Sequence, residues 1–114
     1  MSSKYGKDLY QVVERSLEDS KAQNTVTIDL FNRSSLCDQI IITTGTSSKH
    51  VHSIVMNLKK DLKKYGIKHP NAEGTEHSNW VILDTGDIII HVFQSDVRNH
   101  YRLEELWQSD HKKV

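Results

Sequence analysis

Residues 79–93, NWVILDTGDIIIHVF, decide the fold. Two runs rich in β-branched and aromatic residues flank a short polar segment there, which is typical of a β-hairpin. We therefore predict strands over Trp80–Asp84 and Asp87–Phe93. A two-residue loop of Thr85 and Gly86 would pair Trp80 with His91, Ile82 with Ile89 and Asp84 with Asp87. Threonine fits poorly the positive φ that favoured hairpin turns need, so a bulge that shifts this register remains an alternative.

The two strands each present two different faces, because side chains alternate along a strand. One face is wholly apolar and is the predicted core under the helices; it carries Val81, Leu83, Ile88, Ile90 and Val92. The other face mixes aromatic, aliphatic, acidic and imidazole side chains: Trp80, Ile82, Asp84, Asp87, Ile89, His91 and Phe93. Such a mixture is typical of a protein-binding hot spot. The alternative is that a helix covers this face too, with Trp80 and Phe93 as core.

The rest of the chain alternates helical and strand patterns. Apolar spacing and capping residues predict a helix from Lys7 to about Ala22 and a second from Ser47 or Ser48 to Gly66. Further predicted elements are strands at Thr25–Leu30 and Gln39–Thr44, a short strand at Ile67–His69, a polar loop at Asn71–Asn79 and a final helix after Ser95. The order α-β-β-α-β-β-β-α predicts an α/β protein, a mixed sheet with helices packed on it, in a single domain over residues 1–114.

Composition narrows the function classes. The 114 residues include 15 Lys plus Arg and 15 Asp plus Glu, so the formal net charge is +0, whereas a dedicated nucleic-acid binder usually has a basic excess. We find no signal segment and no apolar run long enough to span a membrane. The single cysteine, Cys37, beside an apolar run, is interpreted as a core residue in a reducing compartment. We expect a cytoplasmic protein without membrane contact; the alternative is an organellar protein after processing, which would show the same features.

Three short motifs suggest chemistry, and each has a simpler structural interpretation. Asp84-Thr85-Gly86 matches the aspartic-protease triplet, but the predicted helices and the short remaining chain favour a hairpin turn. Asp87 and His91 lie two pleats apart, roughly 13 Å, too far to share one metal ion. Residues 45–48, Gly-Thr-Ser-Ser, precede a helix as in nucleotidyltransferases, but no D-x-D carboxylate pair follows. We therefore predict no metal, no cofactor and no catalytic residues.

Lysines cluster near the end of the second predicted helix: Lys59, Lys60, Lys63, Lys64 and Lys68. Cations at that end complement the helix dipole, which is the favoured interpretation. A peripheral contact with RNA phosphate is the functional alternative.

Several runs, taken in order, resemble the Iojap-like ribosomal silencing factors. They are Cys37–Val51, Glu73-Gly74, Trp80–Asp84, Gly86–Phe93, Arg98, Tyr101 and Leu103–Trp107. Each run alone is short, but together they extend from the first helix to Trp107. The resemblance implies a nucleotidyltransferase-like α/β domain that lacks catalysis, so the protein is not expected to be an enzyme.

The resemblance also implies a mechanism. Members of this family bind the large ribosomal subunit through ribosomal protein uL fourteen, block joining of the small subunit and repress translation when nutrients are short. Organellar relatives are tied to large-subunit assembly, and free members are commonly homodimers. The predicted partner-binding residues are the mixed hairpin face, with two residues that the resemblance adds: Trp80, Ile82, Asp84, Asp87, Ile89, His91, Phe93, Arg98 and Tyr101.

Overall fold

A computed structural model describes residues 6–30, 38–74 and 79–95 of the chain. Its helices and strands are α1 (Gly6–Asp19), β1 (Gln23–Asp29), β2 (Gln39–Gly45), α2 (Ser48–Tyr65), β3 (Asn71–Gly74), β4 (Trp80–Asp84) and β5 (Ile88–Gln94). Both helices and the strands β1, β2, β4 and β5 lie where the sequence predicts them, with ends that differ by at most three residues. The predicted helix after Ser95, with Arg98 and Tyr101, and the predicted core residue Cys37 lie outside the described residues.

The described strands form one mixed sheet in the order β1-β2-β5-β4-β3. The central strands β2 and β5 are parallel, and the other neighbouring pairs are antiparallel. The predicted α/β class and mixed sheet are therefore confirmed. The β2 strand is also covered on both faces, as its unbroken Ile40-Ile41-Ile42 run predicts, since none of the three is more than 2% exposed.

Both helices pack on the same side of the sheet, here called the near face. Their apolar stripes meet the alternate sheet residues Ile41, Leu83, Ile88, Ile90 and Val92 in one core. The predicted division of the hairpin is correct on this side, because its apolar set is the set under the helices. Asn57 of α2 donates to the Ser16 carbonyl of α1 at 3.2 Å and to the Ser20 hydroxyl at 2.8 Å, which sets how the helices lie together.

Helix α2 begins and ends at the residues that the sequence predicts. The Ser47 hydroxyl accepts a hydrogen bond from the His50 amide at 3.1 Å, as an N-cap does. At the other end Gly66 has φ 120°, and the amide of Ile67 donates to the carbonyl of Leu62 at 2.8 Å. That pattern is a Schellman ending, and Ile67 packs back on the core as predicted.

The segment before the hairpin was predicted wrongly. The predicted strand Ile67–His69 is not a strand, and β3 instead forms within the predicted polar loop, at Asn71–Gly74. Its residues pair with β4 at the end of the sheet, and of its side chains only Ala72 packs on the core. This strand forms through backbone pairing with β4. Its sequence has no apolar alternation, which is the pattern by which strands are recognised. Pro70, without an amide hydrogen, immediately precedes it.

The hairpin register also differs from the two-residue Thr85-Gly86 loop. Trp80 pairs with Phe93, Ile82 with His91 and Asp84 with Ile89, a shift of two residues along β5. The Thr85 amide donates to the Ile88 carbonyl at 3.0 Å, so Gly86 and Asp87 form the loop. The shift places Gly86, with φ 101°, at the first position of the loop, a positive φ that glycine adopts without strain. Because the shift is an even number, the residues of β4 and β5 keep their predicted faces, whereas Asp87, predicted to begin the second strand, lies in the loop.

Candidate functional site

The face of the sheet turned away from α1 and α2, here called the far face, grades from core to surface. Its residues on β1 and β2, together with Phe93, form a second core cluster: Ile28, Leu30, Ile40, Ile42 and Phe93. Towards β4 and β3 the side chains become accessible, since Trp80, Ile82, Ile89 and His91 are half-buried and Glu73 of β3 is exposed. We call Trp80, Ile82, His91 and Glu73 the far-face patch.

Three rings hold the centre of this surface. Trp80 stacks on Phe93, its cross-strand partner, with ring centroids 4.8 Å apart and planes at 23°. His91 lies two residues before Phe93 on the same strand face, with centroids 5.9 Å apart. The indole Nε1 of Trp80 donates a hydrogen bond to Nδ1 of His91 at 3.3 Å. The indole is therefore held by a ring contact on one side and a hydrogen bond on the other.

The hydrogen bond to Trp80 determines the protonation pattern of His91. An indole N–H can only donate, so Nδ1 of His91 must be the acceptor and the proton of the neutral ring resides on Nε2. Burial lowers the pKa of His91 from 6.5 to about 4, because desolvation penalises the charged imidazolium. At neutral pH the ring is thus uncharged and carries one N–H donor on Nε2.

The two predicted acidic residues occupy the hairpin turn. A side-chain oxygen of Asp84 accepts a hydrogen bond from the Gly86 amide at 2.8 Å, and the Thr85 hydroxyl donates to the Ile88 carbonyl at 2.8 Å. The Asp87 carbonyl accepts from the amides of Asp38 and Gln39, which ties the turn to the start of β2. These contacts support the turn interpretation of the Asp-Thr-Gly triplet. Within the part of the chain that the structure describes, no three acidic, histidine or cysteine side chains are grouped to hold a metal.

The turn before α2 is occupied by the protein's own groups. The Thr46 amide donates to Nδ1 of His50 at 2.9 Å, and Nε2 of His50 contacts the Ser20 carbonyl at 2.8 Å. His50 therefore links the ends of β2 and α1 to the start of α2. The Thr46 amide, which an anion would use at a phosphate-binding turn, already has a partner.

The structure brings the predicted binding residues together unequally. Trp80, Ile82, Ile89 and His91 are half-buried on the far face. Phe93 is 0% exposed beneath the indole, so for Phe93 the alternative interpretation as a core residue is the correct one. Sequence reasoning missed Glu73, which it placed in a loop. The structure pairs Glu73 with Ile82, at the edge of the far-face patch. The Glu73-Gly74 pair was already part of the family resemblance, and that was its only signal.

Comparison with known proteins decides the family. A family model described as "Ribosomal silencing factor during starvation" matches residues 3–114. The chain belongs to this family of ribosomal silencing factors. A ribosomal silencing factor from Halalkalibacterium halodurans is 37% identical over 88% of this chain and 86% of its own. A crystal structure of a Chromobacterium violaceum protein is 30% identical, with a TM-score of 0.84 over 90% of this chain and 85% of the other.

A more distant relative extends the silencing-factor family to an organelle. The mouse protein named "Mitochondrial assembly of ribosomal large subunit protein 1" is 29% identical over 80% of this chain and 41% of its own length. The names of these relatives agree with the resemblance found in the sequence, because both point to regulation or assembly of the ribosome. Among the described helices of this silencing-factor chain, none is both long and apolar enough to cross a membrane.

Proposed function

We propose that this chain binds the large ribosomal subunit at ribosomal protein uL fourteen, prevents the small subunit from joining and so represses translation, chiefly under nutrient limitation. The observation that supports it is the far-face patch, an accessible indole held by Phe93 and His91 beside the half-buried Ile82. Pre-positioned aromatic side chains contribute much of the energy at protein interfaces and lose little entropy on binding. A steric block of joining needs only occupancy of the subunit face, without catalysis.

The patch suits a protein partner of mixed polarity. The indole and Ile82 offer apolar area, the Nε2 proton of neutral His91 offers one hydrogen bond, and the exposed carboxylate of Glu73 lies at the rim. Interface cores enriched in tryptophan with polar groups at the rim have this composition. We propose that the free chain, in the cytoplasm, covers the same apolar surface by forming a homodimer.

The partner is tested by capture. The tagged chain, added to lysates from starved and fed cells, is expected to retain free large subunits and few joined ribosomes. A purified joining assay follows, in which added chain should lower the yield of joined ribosomes in proportion to the large subunits it occupies. Retention of small subunits alone, or of no ribosomal component, would remove the proposal.

A second candidate function is large-subunit assembly, which the name of the mouse relative favours. Depleting the chain separates the two roles. A silencing role predicts normal large subunits and more joined ribosomes in starved cells, whereas an assembly role predicts incomplete large subunits even in fed cells.

An enzymatic role like that of nucleotidyltransferases is the remaining alternative. We expect no transfer when the chain is incubated with labelled nucleoside triphosphates and magnesium. Metal-dependent transfer that disappears on changing Ser47 would make the chain an enzyme.

A further inference from the structure

The zero net charge of the chain conceals a separation between its two helices. Helix α2 carries five lysines and one aspartate, a formal charge of +4, whereas α1 carries four carboxylates against Lys7 and Arg15, a formal charge of −2. An overall balance therefore does not describe the field near α2, since charges are felt mainly within about 10 Å in salt solution.

The cations of α2 are concentrated on one flank. At 100° per residue, the flank turned away from α1 carries an acid-free row along the whole helix: Lys49, His52, Met56, Lys59, Lys60 and Lys63. We call this row the basic stripe. Lys59 is half-buried and the rest are exposed, with Met56 50% exposed. Asp61 and Lys64 lie on the other flank, where they line a cleft with Arg15 and Asp19 of α1.

Helix stability does not explain the basic stripe. The helix dipole favours cations in the last turn, which accounts for Lys63 and Lys64. Lys49 is the second residue of α2, where the dipole disfavours a cation. Lys59 and Lys63 are spaced i, i+4, and like charges at that spacing cost a few tenths of a kcal/mol. The arrangement thus opposes folding slightly, and a polyanion placed along the stripe would offset this cost.

We propose that the basic stripe lies against the phosphate backbone of RNA in the large subunit; this rests on the proposed function, since it assumes that subunit as partner. The stripe extends about 21 Å, fourteen residues at 1.5 Å each, and so faces several phosphates. Apart from His52 it has no ring that could stack on a base, and it has no Arg, Asn or Gln to read base edges, so we expect its lysines to contact mainly the backbone, independently of sequence. The stripe is a second surface, on the opposite side of the sheet from the far-face patch.

Two charge-matched triple variants test the proposal. The stripe variant carries Lys49→Gln, Lys60→Gln and Lys63→Gln, and the control carries Arg15→Gln, Lys21→Gln and Lys64→Gln, which are cations outside the stripe. Each is titrated against purified large subunits over a series of salt concentrations. Each phosphate contact contributes about 0.7 to 0.9 to the slope of log K against log salt, so the stripe variant should lose about 2 from that slope. The control should keep the wild-type slope.

A fluorescent RNA hairpin in low salt provides an independent probe. Binding by the wild type and the control, and weaker binding by the stripe variant, would identify the stripe as an RNA-backbone surface. If large subunits are not bound at all, the proposed function is rejected, and with it the placement of the stripe on large-subunit RNA, while hairpin binding would still assign the stripe to RNA. If subunits are bound and the three slopes agree, the stripe does not contact RNA. A slope that falls for the stripe variant while no protein binds the hairpin would assign the stripe to an acidic protein surface and overturn the RNA proposal.

Discussion

Side chains alternate between the two faces of the sheet, and the two faces have different roles. On the near face Leu83, Ile90 and Val92 are all 0% exposed and belong to the apolar core under α1 and α2. On the far face Phe93 is equally buried, but its partner Trp80 is half-buried and hydrogen-bonded to His91. A near-face residue stabilises the fold because its apolar side chain is buried. On the far face the buried Phe93 ring instead positions the half-buried Trp80 ring at the surface. Mutations on the two faces should therefore separate stability from binding.

The largest effect is expected on the near face. Leu83→Ala should lower the free energy of unfolding by about 2–5 kcal/mol, because it removes buried methyl groups and leaves a cavity beneath α2. Urea unfolding followed by circular dichroism measures this loss. The matched control is Ile82→Ala, the next residue along β4 but on the far face, which should cost clearly less stability. Equal losses at the two positions would mean that the faces do not differ as described.

On the far face, Trp80→Ala should act mainly on binding. Truncating a hot-spot residue costs about 2 kcal/mol or more, roughly a thirtyfold loss of affinity for the large subunit. The same variant should relieve the inhibition of subunit joining. Thermal melting measured alongside should show that the variant is still folded, although it lacks the stacking contact with Phe93. A variant that unfolds would identify Trp80 as core, and a folded variant that still blocks joining at wild-type concentration would exclude Trp80 from the interface.

Lowering the pH should reduce the stability of the fold through His91 on the far face. Its pKa is about 4 in the folded chain and near 6.5 when unfolded, so between these values only the unfolded state takes up the proton. Above pH 6.5 both states are neutral at His91, and its titration does not affect stability. As the pH falls from 6.5 towards 4, protonation of the unfolded state lowers the free energy of unfolding increasingly. His91→Gln removes that titration, so the difference in melting temperature between wild type and His91→Gln should shrink on acidification. His52→Gln, at an exposed histidine of α2, is the control; a pH-independent difference for His91→Gln would show that His91 does not titrate in this way.

The smallest effect is expected at the turn. Asp84→Ala removes the acceptor for the Gly86 amide and should cost about 1 kcal/mol of stability. Asp84→Asn retains an oxygen acceptor and should behave like the wild type. Affinity for the large subunit should change far less than in Trp80→Ala, because Asp84 shapes the turn. If Asp84→Asn weakens binding as much as Trp80→Ala does, the carboxylate contacts the partner directly.

Features of this fold that local sequence patterns encode were predicted, whereas features set by pairing and packing between distant residues were not. Apolar alternation predicts both faces of β4 and β5, and Ser47 and Gly66 predict the ends of α2, because these signals are local. The hairpin register was not predicted, since it depends on which residue tolerates positive φ, and that residue is Gly86. The β3 strand was missed because backbone pairing defines it. The full burial of Phe93 depends on packing between distant parts of the chain, which local patterns do not encode.

The central claim, that the far-face patch meets ribosomal protein uL fourteen, is tested most directly by crosslinking. In a Cys37→Ser background, Glu73→Cys places a thiol for a photoreactive label at the rim of the patch, and Glu14→Cys places one on the exposed surface of α1. After irradiation on purified large subunits, we predict that the label at position 73 joins the chain to ribosomal protein uL fourteen and that the label at position 14 does not. Crosslinking to that protein from position 14 alone would contradict the proposed orientation and assign the interface to the helical side.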